Sequence, residues 1–199
     1  MQKMQTANLK KAYLTKTRAN LMKELSKKNI YEVPTLNKII LNTGFGKLAP
    51  NEKTREQIVE SLAKISGQRP VLTKAKKAIA GFKIRKGQVI GTKVTLRGER
   101  MYHFLEKLFS IVLPRLRDFR GVKDTAFDKK GNYTLGFREI SVFPEIEYVK
   151  EETPIGLEVT IQTKARSLDE AKSLLREFGM PFAKAEGKRE EVKIKPHLK

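Results

Sequence analysis

The chain has 199 residues, with 42 Lys and Arg against 22 Asp and Glu, for a formal net charge of +20. It has no cysteine, which excludes disulfides, thiolate metal sites and cysteine catalysis. Charge of this size points to a polyanionic partner, nucleic acid before membrane, and a 39% hydrophobic share suffices for the core of one domain.

The first residues, MQKMQTANLKKAYL, are basic and lack the apolar core of a secretory signal. Residues 7–28 read as a basic helix with a partial apolar face of Leu14, Leu21, Met22 and Leu25. Pro34 ends anything helical before it. TLNKIILNTGFG then reads as a strand closed by Gly44 and Gly46.

Residues 52–66 have the period of a helix with Ile58, Val59, Leu62, Ala63 and Ile65 inward and Gly67 as its C-terminal cap. RPVLTK is a short strand. A basic segment, 73–88, follows and holds Lys74, Lys76, Lys77, Lys83, Arg85 and Lys86 with no acid among them. Its few large apolar residues and Gly81 and Gly87 suit a flexible arm that orders on phosphate. QVIGTKVTLRG alternates as a strand, with Val94 and Leu96 on one face and Lys93, Thr95 and Arg97 on the other.

ERMYHFLEKLFSIVLPRL is a helix that Pro114 should end or kink. Residues 115–131 are basic and irregular, NYTLGFREISVF reads as a strand, PEIEYVKEETP as a loop, and IGLEVTIQTKA as another alternating strand. The last helix carries a capping box, Ser167 with Glu170, a core face of Leu168, Ala171, Leu174, Leu175 and Phe178, and the stop signals Gly179 and Pro181. Residues 185–199 form a charged tail with little to bury. No stretch approaches the roughly 18 apolar residues that span a membrane.

The expected fold is α+β: a two-layer sandwich with a mostly antiparallel sheet, helices on one face and the other face open. It forms one domain over residues 1–184. On the open face, cations and hydroxyls make a platform for a nucleic acid backbone.

Catalytic constellations are weak. His103 falls within an amphipathic helix and His197 in the tail. Glu145 and Glu147 could share a strand face as paired carboxylates, but a solvated acidic edge explains them as well. Gly44-x-Gly46 lies between a strand and a helix, yet it lacks the third glycine of a dinucleotide loop and the GK[ST] of a phosphate loop, so a tight turn accounts for it. No cofactor or metal is expected. With no tryptophan and few aromatics, backbone and shape contacts to folded RNA fit better than base stacking as the main mode.

Long motifs in order, LTKAKKAIAGFKIRKGQVIGTKVTLRGERMYHFLEKL, LPRLRDFRGV, FDKKGNYTLGFREISVFPEI and MPFAK, resemble protein five of the large ribosomal subunit in its bacterial or organellar form. The resemblance covers roughly residues 8–184. It departs at Thr43 and Lys47, where bacterial members typically carry Met and Glu.

The resemblance implies a structural protein that anchors 5S rRNA in the central protuberance, beside 23S-type rRNA and other 5S-binding proteins, in the ribosome of a cytoplasm or an organelle. It implies 5S rRNA contacts at Asn42, Thr43, Gln68 and Thr95, with charge from Lys93 and Arg97. It assigns the basic segment to peptidyl-site tRNA through Lys74, Lys76, Lys77, Lys83, Arg85 and Lys86. Arg115, Arg117, Arg120 and Lys123 would face the small subunit and its protein thirteen. The residues alone leave open a non-ribosomal assembly factor or RNA chaperone, and an RNA-cutting enzyme.

Overall fold

A computed structural model of the chain describes residues 8–46, 51–117, 119–146 and 155–183. Glu147 and the tail 185–199 lie outside the described residues. The elements come in the expected order. Helix α1 runs Asn8–Ala12, a wide π-type turn Tyr13–Thr17, then Arg18–Glu24, and strand β1 is Leu36–Gly44. Helix α2 spans Glu52–Ser66, with β2 at Val71–Lys74 and β3 at Val89–Leu96. Helix α3 runs Gly98–Lys107, a second wide turn Leu108–Val112, then Leu113–Arg115. Strands β4 (Tyr133–Phe137) and β5 (Leu157–Thr163) precede helix α4 (Leu168–Glu177).

The five strands form one sheet in the order β2-β3-β1-β5-β4, with every neighbouring pair antiparallel. Period-2 alternation sends Ile39 and Leu41 of β1, Val94 and Leu96 of β3, and Val159 and Ile161 of β5 to the same side, where all are buried. The helices cover that side. Leu21, Leu62, Leu105, Leu108, Leu174 and Leu175 join those strand residues in one continuous core. Phe178 ties three helices together, stacking on Tyr13 at 5.5 Å and lying 6.1 Å from Tyr102.

Helix α1 turns Leu21, Met22 and Leu25 to the core as its period suggests, but not Leu14. Arg18 N–H donates to Tyr13 O, five residues back, so the turn holds an extra residue. That rotation turns Tyr13, Thr17 and Leu21 inward and leaves Leu14 57% exposed. The helix closes on a left-handed Ser26 (φ 50°), with Lys27 N–H donating to Met22 O. Helix α2 follows its pattern closely: Asn51 accepts from Thr54 N–H at one end, and Gly67 takes φ 62° at the other, a conformation unfavourable for any residue with a Cβ. In α3 the wide turn ends at Val112, just short of Pro114, and the helix stops one residue beyond the proline.

Three further expectations are corrected. The strand expected over 132–143 ends at Phe137, and a short 3-10 turn, Ile140–Val142, replaces its second half. The apolar residues there anchor a loop instead: Phe143 is fully buried, 6.2 Å from Phe104 and 5.7 Å from Phe137. Leu168 is exposed rather than core. The capping box is shifted: Ser167 Oγ accepts from Glu170 N–H as expected, but the Glu170 carboxylate accepts from Arg166 N–H and pairs with Lys27 Nζ at 2.6 Å.

Near the end of the described chain, Val122 pairs with Phe182 in a parallel bridge, with Val122 N–H donating to Pro181 O and Ala183 N–H to Val122 O. The backbones approach so closely that a Cβ on Gly121 would lie 2.5 Å from the Ala183 nitrogen. This pins MPF against the irregular segment after α3.

Candidate nucleic-acid interface

The open face is built by the residues that alternate with the core. In β3 these are Lys93 and Thr95, and Arg97 follows the strand; Lys93 and Arg97 are exposed and Thr95 half-buried. The register sets Asn42 opposite Lys93 and Ile40 opposite Thr95, so Asn42 joins the same surface. On its other side Asn42 faces Glu158, and its amide donates to that carboxylate at 3.1 Å. Thr160 and Gln162 of β5 and Thr134 of β4 extend the row of hydroxyls and amides, with the Thr134 and Thr160 hydroxyls 3.3 Å apart.

Sequence reasoning names neither Glu158, Thr160 and Gln162 nor Lys38 of β1. The alternation of LEVTIQT is visible in the sequence, but placing it beside β1 requires the sheet order.

Gln68 reaches this surface from the turn between α2 and β2. Its side-chain amide donates to Thr95 O at 3.4 Å, and Ser66 Oγ contacts its backbone on both sides. The structure therefore groups Asn42, Gln68, Lys93, Thr95 and Arg97. It separates Thr43 from them. Thr43 is opposite Thr92, on the core side with Ile39 and Leu41, and only 2% exposed. Its hydroxyl has no partner among the described residues. An apolar side chain would suit such a position, because it leaves no hydroxyl to satisfy.

The basic segment is not an unstructured arm. It extends the β2–β3 pairing outward: Ala75 N–H donates to Gln88 O, Gly87 N–H to Ala75 O, and Ile79 and Ile84 exchange both backbone bonds. A 3-10 turn, Ala80–Phe82, caps this hairpin, and Lys83 sits left-handed at φ 54°. Lys74, Lys76, Lys77, Lys83, Arg85 and Lys86 are all exposed and form no ion pair with the described residues, nor do Lys93 and Arg97. Phe82 stands at the tip, 77% exposed. Arg115 at the end of α3 and Arg117, Arg120 and Lys123 on the segment beyond it, which MPF holds at Val122, are all exposed.

Of the catalytic candidates, Glu145 and His103 fall within the described residues. Glu145 is on a loop, where Lys107 Nζ holds it at 2.5 Å while also donating to Ile65 O at 2.7 Å. His103 is exposed on α3, beside Lys64, Arg100 and Lys107. No cluster of His, Asp and Glu among the described residues could hold a metal ion. The N-terminus of α2, which follows Gly44-x-Gly46, is capped by Asn51. No helix among the described residues is long and apolar enough to cross a membrane.

Fold and face together define a basic α+β sandwich whose open sheet surface and projecting hairpin carry cations unpaired within the described chain. Two family models cover most of its length: ribosomal protein L5 over residues 29–85, and the C-terminal region of the same ribosomal family over residues 89–182. They meet inside the hairpin, yet β1, from the first, lies between β3 and β5 of the second. The chain belongs to the ribosomal protein L5 family.

Among its relatives, the large ribosomal subunit protein uL5 of Desulforamulus reducens is 51% identical over 89% of this chain and 98% of its own. Proteins of the same name from a Synechococcus strain and from Anaeromyxobacter dehalogenans are 53% and 54% identical, each over 88% of this chain and 98% of their own. Membership of this family sets aside the reading as an enzyme.

Proposed function

We propose that the protein is a structural constituent of the large ribosomal subunit that binds 5S rRNA on its open sheet face and anchors it in the central protuberance. The observation that carries this reading is the segregation of the two faces. The helices bury one side of the sheet, leaving Asn42, Lys93, Thr95 and Arg97 aligned on the other. Amides and hydroxyls there suit ribose and phosphate oxygens, and the flanking cations suit the backbone charge. Neighbours would be 23S-type rRNA and other 5S-binding proteins.

The family resemblance assigns the hairpin to peptidyl-site tRNA, and its exposed cations suit a phosphate backbone. Arg115, Arg117, Arg120 and Lys123 are assigned to a bridge with small-subunit protein thirteen. The site of action is the ribosome of a cytoplasm or organelle, with no membrane partner.

The test compares 5S rRNA with an unrelated structured RNA of equal length across a salt series. A preference of about a thousandfold at moderate salt is expected, with both affinities falling as counterions are released. Equal affinity would favour a general RNA chaperone. Neutralising Lys76, Lys77 and Lys86 together should leave isolated 5S binding nearly unchanged while weakening tRNA binding by assembled ribosomes. A large loss of 5S binding in that variant would refute the division between sheet and hairpin.

A further inference from the structure

Two aromatic rings stand out in solvent, Phe82 at the hairpin tip and Tyr31 in the connection between α1 and β1. They mark opposite ends of the sheet. The hairpin departs beyond the Gly44–Gly91 pair, at the C-terminal end of β1, and Tyr31 precedes the N-terminal end. Nine residues of strand, about 30 Å, lie between. Arg97 follows Leu96, which pairs with Ile39, so the Tyr31 end is also the Arg97 end of the open face.

Tyr31 is 86% exposed, and it is held in place. Asn29 caps its 3-10 turn by accepting from Tyr31 N–H at 2.9 Å. The Arg18 guanidinium sits 5.4 Å from the ring centroid, covering one face. Arg18 is itself clamped: Nε and one terminal nitrogen donate to Ile30 O at 3.2 and 2.9 Å. Neither bond uses the second terminal nitrogen, Nη1. The nearby Glu32 is engaged by Arg166 at 3.8 Å. A ring on a capped turn thus offers one open face, beside a clamped cation with donors to spare.

We propose that Arg18 and Tyr31 form a stacking platform for one unpaired RNA base, with the guanidinium serving the adjoining phosphate. The inference rests on the RNA-binding reading of the chain and adds a contact outside the sheet face and the hairpin. The scale of the patch selects the ligand class. One ring and the edge of Ile30 fall far short of the roughly 800 Å² per partner of a stable protein interface. A single base needs no more than one ring, and the pairing of aromatic face with Arg suits a nucleotide.

The test places the photoreactive residue p-benzoylphenylalanine at position 31 of the full chain and isolates large subunits from cells expressing it. Crosslinking to a single-stranded rRNA nucleotide is expected. Chemical probing of that nucleotide should show severalfold higher reactivity in Tyr31→Ala subunits and unchanged reactivity in Tyr31→Phe. Crosslinks to protein alone, or the same reactivity in Tyr31→Ala as in the parent, would overturn the platform and leave the ribosomal reading standing. A chain absent from the large subunit would overturn that reading and the platform with it.

Discussion

The side-chain amide of Gln68 donates to the backbone carbonyl of Thr95 across 27 residues of sequence, at 3.4 Å. The contact stitches the turn after α2 to β3 and sets both residues at one place on the open face of the sheet. Thr95→Val keeps the shape and β-branching of the side chain and removes one hydroxyl from a half-buried position on the open face. It should weaken 5S rRNA binding by about tenfold or less, the scale of one net hydrogen bond, with the urea midpoint unchanged. Gln68→Ala should lose a comparable amount. An unfolded Thr95→Val protein would mean that this side chain packs in the core.

Thr43 makes the opposite prediction, although it is next to Asn42 in sequence. Its buried hydroxyl is unpartnered among the described residues, and Val of nearly the same shape removes that desolvated group. Thr43→Val should raise stability by about 1 kcal/mol in chemical denaturation and leave RNA affinity unchanged. A drop in affinity would place the hydroxyl at the RNA.

Ser26 ends α1 in a left-handed conformation that costs a residue with a Cβ more than glycine. The backbone bonds of that ending do not involve its side chain. Ser26→Gly should therefore raise the melting temperature, by an amount equivalent to about 0.5–1 kcal/mol. A lower melting temperature would show that the Ser26 side chain contributes more than its backbone strain costs.

Glu170 supplies an acid-sensitive contribution. Burial pushes its carboxyl up, but Lys27, the Arg166 N–H and the Arg166 charge together outweigh burial and hold the pKa below the ordinary 4.5. A carboxyl depressed on folding stabilises the protein above the unfolded pKa and loses that contribution as pH falls through the folded one. Glu170→Gln should cost about 1–2 kcal/mol at neutral pH by leaving Lys27 unpaired. The difference from the parent should shrink steadily below pH 4.5 in urea titrations run as a function of pH. A pH-independent difference would assign the effect to packing.

Tyr133 acts at the other extreme. Burial, with a smaller push from Asp124, raises its phenol to about 12, and the hydroxyl donates to Lys123 O at 2.5 Å. A phenol raised on folding contributes fully below 10 and loses that contribution as pH climbs from 10 to about 12. Tyr133→Phe should be less stable at about pH 8 by about 1 kcal/mol, the hydrogen bond's share, and less sensitive across the alkaline window. Parallel stability curves for parent and variant across that window would contradict the assignment.

Much of this molecule is legible from residue order alone. The period of EKTREQIVESLAKIS and the glycine after it bound α2, and the alternation of KVTLR assigns Lys93 and Thr95 to the face opposite Val94 and Leu96. Both rules are local, set by backbone geometry over a few residues. Where a first reading of residue order misleads, the folded chain shows why. Thr43 looks like a polar end of β1, but strand parity carries it inward with Ile39 and Leu41. Leu14 looks apolar and inward, but one extra residue in the turn rotates it out. Phe143 looks like part of a strand, but the core captures its ring and the chain bends to let it in. The charged hairpin looks unable to order itself, yet its backbone pairs with itself through Ile79 and Ile84.

The order of elements, the excess of positive charge and the two-sided character of β3 follow from the amino-acid sequence without further help, because charge and alternation need no partner to be read. Folding in three dimensions is what brings Gln68 to Thr95, sets Asn42 between Lys93 and Glu158, and backs Tyr31 with Arg18. Those relationships depend on sheet order and on which helix face the core selects, and long-range burial sets both.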